Sequence, residues 1–126
     1  MQINTPAEWP WPKDLDALIA APRHHKLLFE NDFVRVIDAL IPPGEITEVH
    51  THQWPASLYI ISWSDFIRYD QDQNIILESK NLPGMPVPAS SIWSEPLVPH
   101  ALKNIGNSDI HIVSVEIKTN IQYQRT

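Results

Sequence analysis

Three histidines carry the strongest chemical signal in this chain, and two of them stand two positions apart. His50-Thr51-His52 places imidazoles at positions i and i+2. In a β-strand such residues point to the same face and lie about 6.5–7 Å apart along the chain. They can reach one metal ion, but two neutral nitrogens are too few to hold it, so further ligands must come from elsewhere. Alone, the pattern is a weak signal that also occurs where polar residues end a strand.

A second segment, Val98 to Asn104, strengthens this signal. Gly44, His50 and His52 match a first cupin motif of Gly, five residues and His-x-His, while His100 and Asn104 match the end of the second motif. Through these five positions the chain resembles the cupin superfamily between about residues 26 and 118. The resemblance implies an all-β fold, a double-stranded β-helix or jelly-roll barrel. It also implies that His50, His52 and His100 bind divalent Fe, Mn, Ni or Zn.

The sequence departs from the cupin pattern at three places. Ser57 stands where the first motif has its Glu, Ser64 replaces its last Gly, and the Pro-x-Gly before His100 is absent. A three-histidine site without the Glu would keep a charge of about +2 and leave two or three positions open, which suits an anionic, chelating substrate. Thiol dioxygenases of the superfamily are similar in having three His and no Glu. The alternative is that the loss of a ligand lowers the affinity until no metal is retained.

Other side chains are assigned lesser roles. Three are candidate substitutes for the missing carboxylate: Glu48, Gln53 and Glu95. One of His24 and His25 is expected to cap or pack at the barrel rim, the alternative being a proton shuttle or substrate contact. His111 lies in a strand rich in Ile and Val and is predicted to be a hydrogen-bonded rim residue.

The residues expected to line a substrate pocket flank the motifs: Trp54, Ser57, Trp93 and Asn104. Core packing is the alternative for the tryptophans. Tyr59 is predicted to share the inward phase of Ser57, where its hydroxyl would act as a catalytic acid or donate to a substrate. Arg35 and Arg68 would bind a substrate carboxylate if they faced inward, although an Arg in a strand usually faces water.

The elements that must position these residues are short strands. Residues 1–24 are rich in Pro and Trp and predict an arm with one short helix near Asp14–Ile19. Residues 25–126 predict an antiparallel barrel with turn signals every six to twelve residues. The predicted strands are Lys26–Glu30, Phe33–Ile41, Glu48–His52, Ser57–Ser62, Asp65–Asp70, Ile75–Ser79, Ser91–Ser94, His100–Asn104, Ile110–Lys118 and Ile121–Gln124.

Composition narrows the functional classes. The chain has 126 residues, 43% of them hydrophobic, a net charge of −6 and no Cys. The absence of a basic stripe argues against nucleic acid and anionic membranes as partners. Without a signal peptide or a long apolar run, the expected location is the cytoplasm, and exposed sheet edges favour a homodimer.

Together these features predict a metal-binding cupin. The expected protein is an enzyme of oxygenase, isomerase or lyase type that acts on a small acidic or oxygen-rich metabolite. The alternative is a non-catalytic module that binds a small ligand and has a degenerate metal site. Fold does not choose the reaction.

Overall fold

The protein is a two-sheet antiparallel β structure, seen in a computed structural model that describes residues 9–118. Nine strands occur in this range: β1 His25–Glu30, β2 Val34–Ile41, β3 His50–His52, β4 Ala56–Ser62, β5 Phe66–Asp70, β6 Ile75–Glu78, β7 Ser91–Ser94, β8 Leu97–Asn104 and β9 Ile110–Ile117. The predicted strand Ile121–Gln124 lies outside the described residues. The all-β prediction is confirmed.

The strands form one sheet of five and one of four. The orders are β1-β2-β9-β4-β7 and β3-β8-β5-β6. Neighbouring strands pair antiparallel throughout. Chain-distant strands are therefore spatial neighbours, and β3 pairs with β8 so that His50 lies opposite His100.

Turn chemistry closes the first hairpin and the loop before β3. The Asn31 side-chain oxygen accepts hydrogen bonds from the backbone N–H groups of Phe33 and Val34, as turn-forming Asn residues commonly do. Gly44 has φ +84°, a backbone conformation that favours glycine.

The inner faces of both sheets form the core. In β2, alternate residues are buried, with Ile37, Ala39 and Ile41 pointing inward, as expected for a strand with one covered face. Phe66 and Ile110 pack with Ile41 in the main apolar cluster.

The segment before β1 contains a 3₁₀ turn, Lys13–Leu15, and one short helix, α1 Ala17–Ala20. Asp16 caps α1 by accepting a hydrogen bond from the Leu18 N–H, which satisfies one of the free donors at a helix start. Within residues 9–118, no helix is long and apolar enough to cross a membrane. The division into an arm, 1–24, and a barrel, 25–126, stays a prediction.

Candidate metal centre

Four imidazoles meet inside the barrel. They belong to His25 at the start of β1, His50 and His52 on β3, and His100 on β8. The ring centroid of His50 lies 4.6 Å from His25, 4.9 Å from His52 and 4.4 Å from His100. Ligand atoms of His25, His50 and His52 all lie within 4.8 Å of one another. His100 joins the cluster with its ring centroid 5.7 Å from that of His52.

Each of the four rings is oriented by a hydrogen bond at Nδ1. His25 Nδ1 donates to Ala21 O at 2.9 Å, His50 Nδ1 to Glu48 O at 2.7 Å, and His100 Nδ1 to Val98 O at 2.8 Å. A carbonyl oxygen only accepts, so these rings carry their proton on Nδ1 and present a lone pair at Nε2. This outer-shell pattern is the one that metal-ligating histidines show.

The fourth ring, His52, is held by a buried ion-pair chain. Its Nδ1 lies 3.2 Å from Glu116 Oε2, and Arg35 Nε donates to Glu116 Oε1 at 2.7 Å. Arg35 also binds both carboxylate oxygens of Asp16, at 3.0 and 2.7 Å. A carboxylate behind an imidazole fixes its tautomer and raises its basicity. Asp16 lies in the segment before β1, and Arg35 lies on β2. This segment is thus linked to His52 through Arg35 and Glu116.

Burial keeps three of these imidazoles neutral. It lowers the pKa of His25 to about 4, helped by the nearby His52. Burial and the charges of His52 and Arg68 lower the pKa of His100 to about 3. Burial and the neighbouring rings of His100, His52 and His25 hold the pKa of His50 far below its usual range. Neutral imidazole is the form that binds metal, so the cluster is ready to accept an ion at neutral pH.

The four rings line one cavity of about 100 Å³. Most of its wall is apolar, from residues on both sheets that include Ile37, Ile41, Leu58, Leu102, Ile110 and Ile112. Its polar groups, besides the histidines, include Arg68, Trp63 and Glu116. Apolar walls with a few converging polar groups are typical of a small-molecule site.

The predicted inward phase of Ser57 and Tyr59 is wrong. Tyr59 is 45% exposed, and the cavity is lined instead by Ala56 and Leu58. Residues 53–55 form no strand between β3 and β4, and a shift of one residue turns every side chain of a strand to the other face. With three residues after His52, the motif's Glu position falls on Ala56, which has no ligand atom either.

Two other predicted pocket residues, Trp93 and Asn104, do not line the cavity. Trp93 is 58% exposed, and its Nε1 donates to Glu95 at the surface. Asn104 is fully buried but does not line the cavity: its Nδ2 donates to Ile41 O and Ser108 O, and its Oδ1 accepts from the Gly106 N–H. Because all of these bonds join backbone groups, Asn104 stabilises the turn after β8.

The remaining sequence candidates are placed as follows. Trp54 lines the cavity, and its contact with a substrate stays a prediction. The substitute ligands Glu48, Gln53 and Glu95 lie outside the cavity lining. His24 binds Glu45 at 2.8 Å, and His111 binds Asp38 at 2.7 Å, so both have partners away from the four-histidine cluster.

Sequence reasoning undervalued His25 and missed Glu116. The adjacent pair His24-His25 does not reveal which ring joins the cluster: both are buried, but only His25 belongs to β1. Glu116 offered one signal, a lone acid at the end of an apolar strand, Ile110–Val115. Arg35 and Glu116 are direct cross-strand neighbours of β2 and β9, a pairing that requires the sheet order.

Known structures share this architecture. A cupin domain from Bordetella pertussis Tohama I matches with a TM-score of 0.58 and 18% identity, over 75% of this chain and 91% of that one. An RmlC-like cupin with a double-stranded β-helix from Methanocaldococcus jannaschii matches at 0.51 and 16%, over 74% and 77%. An uncharacterised double-stranded β-helix protein from Klebsiella pneumoniae matches at 0.51 and 16%, over 80% and 84%.

These likenesses define the fold class. The chain has the double-stranded β-helix fold of cupin proteins, which confirms the predicted architecture. No protein-family model matches the chain, and no curated protein does. The likeness therefore concerns the fold, and function has to be argued from the site.

Proposed function

We propose that this protein is a metal-dependent cupin enzyme in which His50, His52 and His100 hold a divalent transition metal, with His25 as the fourth ligand. The carrying observation is that four imidazoles, three of them buried, converge with every Nδ1 engaged by an oxygen. Such rings offer only Nε2 to the centre of the cluster. His25 thus supplies the ligand that the missing motif Glu would have provided.

The donor set favours borderline metals. Imidazole nitrogens suit Fe, Ni, Cu and Zn, whereas carboxylate and carbonyl oxygens suit Mg and Ca. Four neutral ligands leave the full charge of about +2 on the ion. Zinc, which prefers four ligands, would be saturated by this set, whereas a six-coordinate ion would keep about two positions for a substrate.

The cavity favours a small acidic or oxygen-rich metabolite as the substrate. When bound, the metal would supply Lewis-acid polarisation of a chelated oxygen. The chain's own residues would bind and orient that molecule between the imidazoles and the apolar wall, which excludes bulk water. Oxygenase, isomerase and lyase chemistry are all compatible with this arrangement. A cytoplasmic location and a homodimer stay predictions.

The proposal is tested by elemental analysis of the purified protein and of histidine variants. We expect about one equivalent of Fe, Ni, Mn or Zn in the wild type. His50→Ala and His25→Ala should lose it, whereas His111→Ala should keep it, because His111 pairs with Asp38 outside the cluster. Thermal unfolding with each added ion provides a second measurement, because an ion that binds the folded state raises Tm.

The same experiment separates the enzyme from the non-catalytic module. A protein that contains no metal and gains no stability from any of the four ions would contradict the proposed site. Where metal binds, oxygen uptake with candidate thiols and diketones tests the oxygenase branch. Metal retention equal in His25→Ala and wild type would remove His25 from the ligand set while leaving the other three.

A further inference from the structure

Two buried hydrogen-bond donors in the cavity have no acceptor in the described chain. Among residues 9–118, neither Arg68 Nε nor Trp63 Nε1 has a hydrogen-bond partner, although both atoms are buried. Both residues line the cavity that holds the histidines. We propose that Arg68 and Trp63 form an anion subsite that binds a carboxylate group of the substrate beside the metal. This inference rests on, and extends, the proposed function.

Sheet register places Arg68 on the same wall as a proposed ligand. Arg68 of β5 lies directly opposite Leu102 of β8, and His100 is two residues before Leu102. Residues two apart in a strand share a face, so the guanidinium and the imidazole of His100 belong to the same inner surface. Trp63 stands before β5 and packs edge-on against Phe66, with ring centroids 5.6 Å apart.

The charge arrangement also calls for an external anion. Of the charged residues that line the cavity, Glu116 is already engaged by Arg35 and His52. Arg68 forms no ion pair within the described range. Arg68 is half-buried and its Nε is fully buried; charged groups away from water are nearly always paired, and a guanidinium cannot avoid the cost by losing its proton. A cationic side chain kept unpaired in a cavity is therefore a strong indication of an anionic ligand.

The chemistry of the two donors specifies the ligand class. Guanidinium binds carboxylate with a matching fork of N–H groups, and an indole nitrogen can only donate. The histidine Nε2 atoms, by contrast, are acceptors that would hold the proposed metal. The fitting ligand has a carboxylate at one end and a metal-binding oxygen at the other. A cavity of about 100 Å³ restricts it to a carboxylic acid of a few carbon atoms.

Titration calorimetry with pyruvate and its uncharged amide, pyruvamide, tests the subsite. The two probes have nearly the same shape and differ in charge. Wild-type protein, metal-free and loaded with Ni²⁺, should bind pyruvate about 10-fold or more tighter than pyruvamide, the ratio that a charge-assisted hydrogen bond provides. Arg68→Met should abolish the preference in the metal-free protein, where no ion attracts the carboxylate, and should keep the metal content. Arg23→Met is the matched control, because Arg23 is 65% exposed, and it should behave as wild type.

Each outcome of these titrations supports or overturns a named part of the two proposals. An unchanged pyruvate preference in Arg68→Met, or no preference in wild type in either form, overturns the anion subsite while the metal proposal stands or falls on its own analysis. A failure of every protein to bind Ni²⁺ removes Ni from the proposed metals, the other three ions are judged by the elemental and thermal measurements above, and the metal-free titrations still judge the subsite. If Arg68→Met does not fold, Arg68→Lys and Trp63→Phe replace it: the first should keep part of the preference, and the second should weaken pyruvate binding several-fold. Wild-type behaviour in Trp63→Phe would remove Trp63 from the subsite.

Discussion

Replacing Arg35 with Met should destabilise the protein by about 3–5 kcal/mol, the usual cost of removing one member of a buried ion pair. Arg35 is the positive centre between Asp16 and Glu116, with N–O distances of 2.7 Å to each carboxylate. Glu116 is completely buried. Without Arg35, its charge would remain in the interior with only His52 beside it. Since whole domains are stable by about 5–15 kcal/mol, this is a large fraction of the total.

Urea unfolding of the metal-free protein, followed by circular dichroism, measures this loss. Arg23→Met is the control, because it makes the same chemical change at the surface. Arg23 is 65% exposed and lies 3.7 Å from Glu45, and exposed ion pairs of this kind contribute about 0–1 kcal/mol to stability. The double variant Arg35→Met/Glu116→Gln removes the stranded charge and should be more stable than Arg35→Met alone. A loss below about 1 kcal/mol, or strictly additive effects in this cycle, would refute the reasoning.

Three further predictions follow from the same contacts. Glu116→Gln should weaken metal binding about 10–100-fold, because the Glu116 carboxylate orients the His52 ring through its Nδ1. Asn104→Ala should lower the free energy of unfolding by about 2–5 kcal/mol, since a fully buried side chain loses three hydrogen bonds to backbone groups, and should leave the metal content unchanged. The metal-free protein should lose stability as the pH falls from 6.5 towards 4, because His25, His50 and His100 have pKa values below 6.5 only when folded. The unfolded chain takes up protons there that the folded protein does not, so each histidine removes up to about 1.4 kcal/mol per pH unit.

Each of these three predictions has its own measurement and a result that would contradict it. Competition with a chromophoric chelator measures the affinity of Glu116→Gln, and wild-type affinity would contradict the positioning role of Glu116. A folded Asn104→Ala variant that loses its metal would contradict the structural role of Asn104 and indicate that it contributes to the metal site. Urea unfolding across the pH range tests the titration, and a flat profile between pH 6.5 and 4 would show that the buried imidazoles are already hydrated or charged.

The alternation of apolar and polar residues, together with turn residues, was enough to predict the all-β class. Both signals depend only on short stretches of the sequence. Pro42-Pro43-Gly44 and Asn31 mark turns through their own backbone preferences. The strand bounds were close in most cases, as for Asp65–Asp70, observed as Phe66–Asp70. The phase of β4 was wrong because the bend at residues 53–55 reverses which side chains face inward; Pro55 marks an interruption there but does not tell which face each side chain of the next strand takes.

The sequence by itself determined that His50 and His52 can share a face, that His100 belongs to a second motif, and that no Cys contributes. Only the tertiary structure decided which other side chains join them. Pairing of β3 with β8 places His100 opposite His50, pairing of β2 with β9 places Arg35 opposite Glu116, and the start of β1 contributes His25. These pairings join residues 50 to 81 positions apart, so their register depends on burying one face of each sheet, a property of the assembled barrel that no single segment possesses.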